Sequence, residues 1–243
     1  AGTAITTADN NTCIGAEAGE AITTGVQHTY VGMQCGDSTT TGHQNTAVGY
    51  QALQSLTDGS NHVAIGRQAS YSVVSGHYSV AIGDGALYSA TAGFNDAMGF
   101  QTLYNCTSGE LNTGIGSSSL KSLTTGARNI GLGRSAGNDL TTGSRNTFLG
   151  QNAGDTATTG SRNVCIGADA TPSSATVDNE VTIGDSNITK FRVPGIDVVL
   201  KDNGGTPTEG HVLTVDANGE AGFAAAGGGV SSDAQFNTVA GTQ

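Results

Sequence analysis

Asn45-Thr-Ala-Val-Gly49, His62-Val-Ala-Ile-Gly66 and Ser79-Val-Ala-Ile-Gly83 stand 17 residues apart, and that spacing decides how the whole chain is read. The glycine closing each pentad recurs at Gly15, Gly32, Gly49, Gly66, Gly83, Gly99, Gly116, Gly133, Gly150, Gly167 and Gly184; every step is 17 residues except Gly83 to Gly99, which is 16. A second glycine keeps the same rhythm at Gly25, Gly42, Gly59, Gly76, Gly93, Gly109, Gly126, Gly143 and Gly160. Two glycines at fixed phase predict two tight corners per unit, because glycine reaches positive φ at no steric cost. Self-similarity at a short fixed period marks a solenoid.

The columns between the glycines suggest what fills it. One residue before each pentad glycine stands a large apolar side chain: Ile14, Val31, Val48, Ile65, Ile82, Met98, Ile115, Leu132, Leu149, Ile166 and Ile183. This column is expected to be the core ladder. Three residues after the glycine the column is small (Ala18, Cys35, Ala52, Ala69, Ala86, Thr102, Ser119, Ala136, Ala153, Ala170), which predicts a thin, flat coil. Four residues before it runs a polar ladder of Asn11, Asn45, Asn95, Asn112, Asn129, Asn146 and Asn163, with His28, His62 and Ser79 in the same column. Amides in register from coil to coil can hydrogen-bond one another. Seventeen residues with two glycines are too few for a helical repeat, whose usual period is about 33 to 47. The expected fold is therefore all-β, a parallel β-roll or β-solenoid with strands of about 4 or 5 residues. Eleven coils at the strand spacing of about 4.8 Å make a rod roughly 50 Å long.

Composition agrees. Among 243 residues there are 38 Gly, 6 Phe, 6 Tyr and no Trp, so the core must be built from Ile, Val, Leu and Ala. Pro172, Pro194 and Pro207 are expected to lie beyond the array, since proline cannot donate to a ladder. A net charge of −11 with only 9 Lys and Arg argues against nucleic acid and anionic membranes. The apolar runs are too short to cross a bilayer, so no membrane insertion is expected.

The domains read as 1–185, a β-roll array; 186–229, a small β connector with a hairpin over 210–223 turning at Asn218-Gly219; and 230–243, the start of a further array. The last segment carries Phe236-Asn-Thr-Val-Ala-Gly241, and the step from Gly241 through Gln243 and on from Ala1 to Gly15 is again 17. This phase predicts end-to-end tandem units, with the connector as the recurring joint.

Cys13 and Cys165 share a column but lie nine coils apart, about 43 Å, too far for a disulfide within one chain. The thiols are read as small packing residues, with a bridge between chains as the alternative. No catalytic constellation emerges. His28 and His62 fall in the polar ladder, His43 and His77 follow second glycines, and Glu17, Asp84 and Asp169 sit at corners without a convergent partner. Neither a calcium nonapeptide nor a phosphate loop is present. The chain is not expected to be an enzyme or to need a cofactor or metal.

The three opening pentads resemble the repeats in head domains of trimeric autotransporter adhesins. Asn45-Thr-Ala-Val-Gly-Tyr-Gln-Ala-Leu53 and the exit sequence Val181-Thr-Ile-Gly-Asp-Ser-Asn-Ile-Thr-Lys-Phe-Arg-Val-Pro-Gly195 look more like phage tail fibres and related bacterial fibre proteins. The resemblance covers roughly residues 1 to 195, and the period of 17 is longer than the repeat common in adhesin heads. It implies a left-handed parallel β-roll packed as a homotrimer, extracellular on a cell or virion surface, serving as fibre and in adhesion to a surface receptor. The alternative is an ice-binding β-solenoid, suggested by Thr23-Thr24, Thr40-Thr41, Thr124-Thr125, Thr141-Thr142 and Thr158-Thr159 at constant phase.

Overall fold

The computed structural model describes residues 1–4, 7–193, 198–201, 211–215 and 220–225. It divides into two units, Ala1–Asp185 and Ser186–Gln243. The first carries eleven strands of three residues: β1 (Thr12–Ile14), β2 (Thr29–Val31), β3 (Thr46–Val48), β4 (Val63–Ile65), β5 (Val80–Ile82), β6 (Asp96–Met98), β7 (Thr113–Ile115), β8 (Ile130–Leu132), β9 (Thr147–Leu149), β10 (Val164–Ile166) and β11 (Val181–Ile183). They form one parallel sheet in chain order. Each residue pairs with its equivalent one coil on, as Val48 does with Ile65 and Ile65 with Ile82, and the 16-residue step keeps the register, Ile82 pairing with Met98. The fold is a parallel β-solenoid of 17-residue coils.

The strands are shorter than the expected 4 or 5 because corners close in on both ends. Gly49 ends its strand at φ 140, beyond the reach of an L side chain, and Gln44 enters it in the left-handed region at φ 58. Two further left-handed corners follow at Gln51 and Leu53, and the same three columns repeat along the array. The second glycines do not supply corners, contrary to the sequence reading: Gly42 and Gly59 keep ordinary φ. They are glycine for room, since a Cβ on Gly42 would run into the carbonyl oxygen of Gly59 one coil on.

Backbone bonds link coils on both sides of the perimeter. Thr46 N–H donates to His62 O at 2.8 Å and Gly49 N–H to Val31 O at 2.8 Å; on the far wall Leu53 N–H reaches Ala69 O at 3.0 Å and Ser55 N–H reaches Tyr71 O at 3.2 Å. Only alternate N–H groups on that wall donate to the ladder. This accounts for Pro172, which sits within the first unit between β10 and β11 rather than beyond the array: it occupies the column of Gln54 and Tyr71, between the donating positions.

The interior is assembled from other columns than the one expected. The middle residue of each strand points in: Tyr30, Ala47, Ala64, Ala81, Ala97, Phe148 and Cys165 are buried. Opposite them lie the small column from Ala18 to Ala170 and the leucines Leu53, Leu87, Leu103 and Leu120, all at 0% exposure, with Ile22, Leu56, Leu123 and Leu140 closing one end of the section. Volume is balanced across the coil. At Ala47, Ala81, Ala97 and Gly114 the facing position is Leu, whereas Ala64 is matched by Ser70 and Gly131 by Gly137, which makes room for Phe148; where the strand offers an aromatic ring, the facing positions are glycine. A Cβ on Gly36 would sit on the Tyr30 ring, and one on Gly154 on the Phe148 ring.

In the second unit, β12 (Lys190–Val193), β13 (Val198–Lys201), β14 (His211–Val215) and β15 (Glu220–Ala225) form a sheet in the order β12-β13-β15-β14. β14 and β15 pair antiparallel, Leu213 opposite Phe223. The expected turn at Asn218-Gly219, Pro194, Pro207 and the segment 230–243 with its join to Ala1 lie outside the described residues.

Candidate interaction surface

Because a strand alternates its side chains, burying the middle residue turns the first and third outward. The column read as the core ladder is therefore on the outside. Ile14 is 59% exposed, Met98 46% and Ile115 40%, and Val48, Ile65, Leu132, Leu149, Ile166 and Ile183 are exposed with them; Val31 and Ile82 are half-buried. The error has a physical source: the coil is so thin that its strand-side interior accepts mostly Ala, Gly and Cys, so the bulkiest apolar residue has no room inside. The first strand position adds Val63, Val80, Ile130, Val164 and Val181 to the same face, interleaved with Thr12, Thr29, Thr46, Thr113 and Thr147. One charge interrupts this face, the exposed Asp96 on β6. It lies in a shallow cleft of about 270 Å³ bordered by Val80, Met98 and Ile115.

The edge at which the chain enters the sheet, five residues before each pentad glycine, is zoned along the array. Asn10, Gln27, Gln44 and Asn61 come first, then Tyr78, Phe94 and Leu111, then Arg128, Arg145 and Arg162, every one in the left-handed region with φ from 54 to 64. Tyr78 stacks on Phe94 with ring centroids 5.6 Å apart. At the exit edge an amide ladder ascends from Glu17: Gln34 Nε2 donates to its Oε2 at 2.7 Å, Gln51 to Gln34 and Gln68 to Gln51, both at 2.9 Å. Beside it Arg67 grips Asp84 through two parallel bonds of 2.8 and 2.9 Å. Tyr71, Tyr88 and Tyr104 stack on the far wall at 5.0 and 4.8 Å.

The asparagine column is buried and wired in two directions. Asn129 Nδ2 donates to Gly143 O at 2.9 Å, while its Oδ1 accepts the Asn146 N–H at 2.9 Å; the same pair of bonds recurs at Asn45, Asn112 and Asn146. Asn95 donates to Gly109 O, Asn11 to Gly25 O and Asn163 to Val177 O. The side chains thus tie the strand wall to the second glycines. Glu180 ends the column: its N–H donates to Asn163 Oδ1, and Ser173 donates through both N–H and hydroxyl to its carboxylate, holding it below the usual range.

His28 and His62 take the amide's place. Nε2 of His28 is 2.8 Å from Gly42 O and its Nδ1 accepts the Asn45 N–H at 3.3 Å, a pattern that needs the neutral ring. Burial pushes its pKa down to about 4. His62 makes the corresponding bond to Gly76 O, its buried Nδ1 has no partner, and burial lowers its pKa too. Neither ring faces a metal partner: among the described residues no cluster of His, Cys, Asp and Glu could hold an ion.

All four cysteines are free thiols. Burial pushes Cys35 up to about 12 and Cys106 and Cys165 to about 11, so these three stay protonated and act as packing groups. The first hydroxyl of each threonine pair is engaged. Thr40 Oγ1 donates to Thr57 O at 3.1 Å, Thr124 to Thr141 O at 3.0 Å and Thr141 to Thr158 O at 3.0 Å.

No helix among the described residues is long and apolar enough to cross a membrane. No protein-family model matches the chain, and no curated protein or solved structure is significantly similar to it. The arrangement itself is what carries a functional reading. Sequence reasoning found the apolar column but faced it inward; the signal that corrects it is the exchange of Leu for Gly opposite Tyr30 and Phe148, which only an inward middle residue explains. The zoned entry edge went unread because its members share a backbone conformation, not a chemistry.

Proposed function

We propose that the chain is a structural building block of a long extracellular fibre, carried on a cell or virion surface, whose copies associate as homotrimers through the outer face of the β1–β11 sheet. The observation that carries this reading is the outward-facing apolar column of the eleven strands, exposed on nine of them and half-buried at Val31 and Ile82. A contiguous apolar face of this kind marks an association surface. Supporting it, the coils stack by nearest-neighbour contacts, so length is added at constant cost per coil, and the perimeter is bonded coil to coil. Resemblance to adhesin heads and tail fibres supplies the trimer and the service in adhesion. A catalytic role has no support in the geometry described above. Ice binding is disfavoured by the first threonine of each pair, whose hydroxyl is donated to the next coil rather than presented to water.

Sedimentation equilibrium on the full chain tests the proposal. A mass three times that of the chain is expected, reduced to one chain by Ile65→Lys with Ile115→Lys, while circular dichroism stays unchanged because both side chains point away from the interior. A wild-type monomer, or a trimer indifferent to these changes, contradicts it. No thermal hysteresis is expected.

A further inference from the structure

The cations of this acidic chain are unevenly placed. Residues 1–116 hold one Arg against eight Asp and Glu, whereas residues 117–168 hold five Lys and Arg against two Asp. Three of those five, Arg128, Arg145 and Arg162, occupy equivalent positions on successive coils at the entry edge. All three are exposed, and among the described residues their guanidinium groups make no hydrogen bond or ion pair. Arg67, by contrast, is neutralised by Asp84. The in-register sheet fixes the backbone positions of the three arginines about 4.8 Å apart, so three like charges stand in a row that spans about 10 Å. Lys121, in the column of Gln54 on the far wall, and Arg134, at the exit edge, stand apart from the row, and Asp178, which accepts the Ser161 N–H at 2.6 Å, is a carboxylate beside its Arg162 end.

From this row we infer that the chain has a binding site for a linear carboxylated polysaccharide, a polyuronate, with Arg128, Arg145 and Arg162 each engaging a carboxylate along one strand of sugar. The guanidinium fork matches a planar carboxylate through two parallel bonds. A line of forks on a rigid edge selects a ligand whose charges are themselves in line, since a single small anion meets one rung only. The acidic stretch 1–116 confines a polyanion to the row itself, and a duplex nucleic acid, with a charge about every 1.7 Å along its axis, is repelled more strongly than a chain with one charge per sugar. The row borders the apolar outer face, two residues before Ile130, Thr147 and Val164, and is not part of it.

Fluorescence anisotropy with labelled oligogalacturonate at low salt tests the inference on the full chain. Wild type is expected to bind with an affinity that falls as salt is raised, and Arg128→Gln with Arg145→Gln and Arg162→Gln to bind at least about tenfold more weakly. Methyl-esterified oligogalacturonate and monomeric galacturonate should not compete. The same triple variant is checked by sedimentation, where an unchanged mass shows that fold and assembly are intact. Absence of binding by wild type, equal binding by the triple variant, or equal or tighter binding of single-stranded DNA overturns the assignment, and none of these results bears on the outer face.

Discussion

Asn129 shows how much one side chain does in a coil this thin. Replacing it with Ala strands Gly143 O and the Asn146 N–H in the interior, and each buried group left unpaired costs about 1–3 kcal/mol. Asn129→Ala should therefore lower the denaturation midpoint of the full chain clearly, whereas Asn138→Ala, half-buried on the far wall with an ordinary φ and bonded through its side chain to the neighbouring Asp139, should change it little; equal effects would deny the ladder its role. The two histidines make the column sensitive to acid. Their folded pKa values lie below the ordinary 6.5, so below that pH the unfolded chain binds protons that the folded chain refuses. Their contribution is whole above pH 6.5 and is lost as pH falls from 6.5 through about 4, where His28 titrates in the fold. Urea unfolding at pH 7 and 4.5 measures it: His28→Asn with His62→Asn should lose less stability over that interval than wild type, and parallel losses would contradict the account.

Each coil is a fitted cross-section, and its fit is testable as an exchange of volume. Gly36→Leu forces a side chain into the Tyr30 ring and should cost about 1–3 kcal/mol. Adding Tyr30→Ala recreates the Ala-and-Leu pairing already present at Ala47 and Leu53, and should recover most of the loss. Additive losses in a thermal melt would show that the two positions do not face each other. Period, parallel pairing, register and polar ladder were legible in the sequence, because each is a repeated column that one chain displays eleven times over. The direction of the apolar column was not. A three-residue strand carries too short an alternation to declare its inner face, and size pointed the wrong way, since Ile65 is larger than the Ala64 that takes the interior. The pairing of Tyr30 with Gly36 held the answer, but only once the coil's corners were placed. The left-handed corners at Gln44, Gln51 and Leu53 were also beyond reading, because non-glycine residues adopt them and the second glycines, which the sequence pattern marks as corners, serve close approach instead.

Across the whole molecule the account turns on the outer face of the sheet. Asp96 is its one charge, and a carboxylate brought into an apolar contact between copies is costly. Asp96→Thr, which restores the residue found in the same column at Thr113, should tighten self-association in sedimentation; weaker association would place the contact elsewhere. Met98, next to it and 46% exposed in the single chain, offers a chemical reporter of what covers that face. Its rate of oxidation by hydrogen peroxide, followed by mass spectrometry across a dilution series of the full chain, is the decisive quantity. If copies meet on this face, Met98 oxidises slowly at high concentration and approaches the rate of an exposed methionine as the assembly dissociates. Rapid oxidation of Met98 at concentrations where sedimentation shows the chain fully associated would contradict the account.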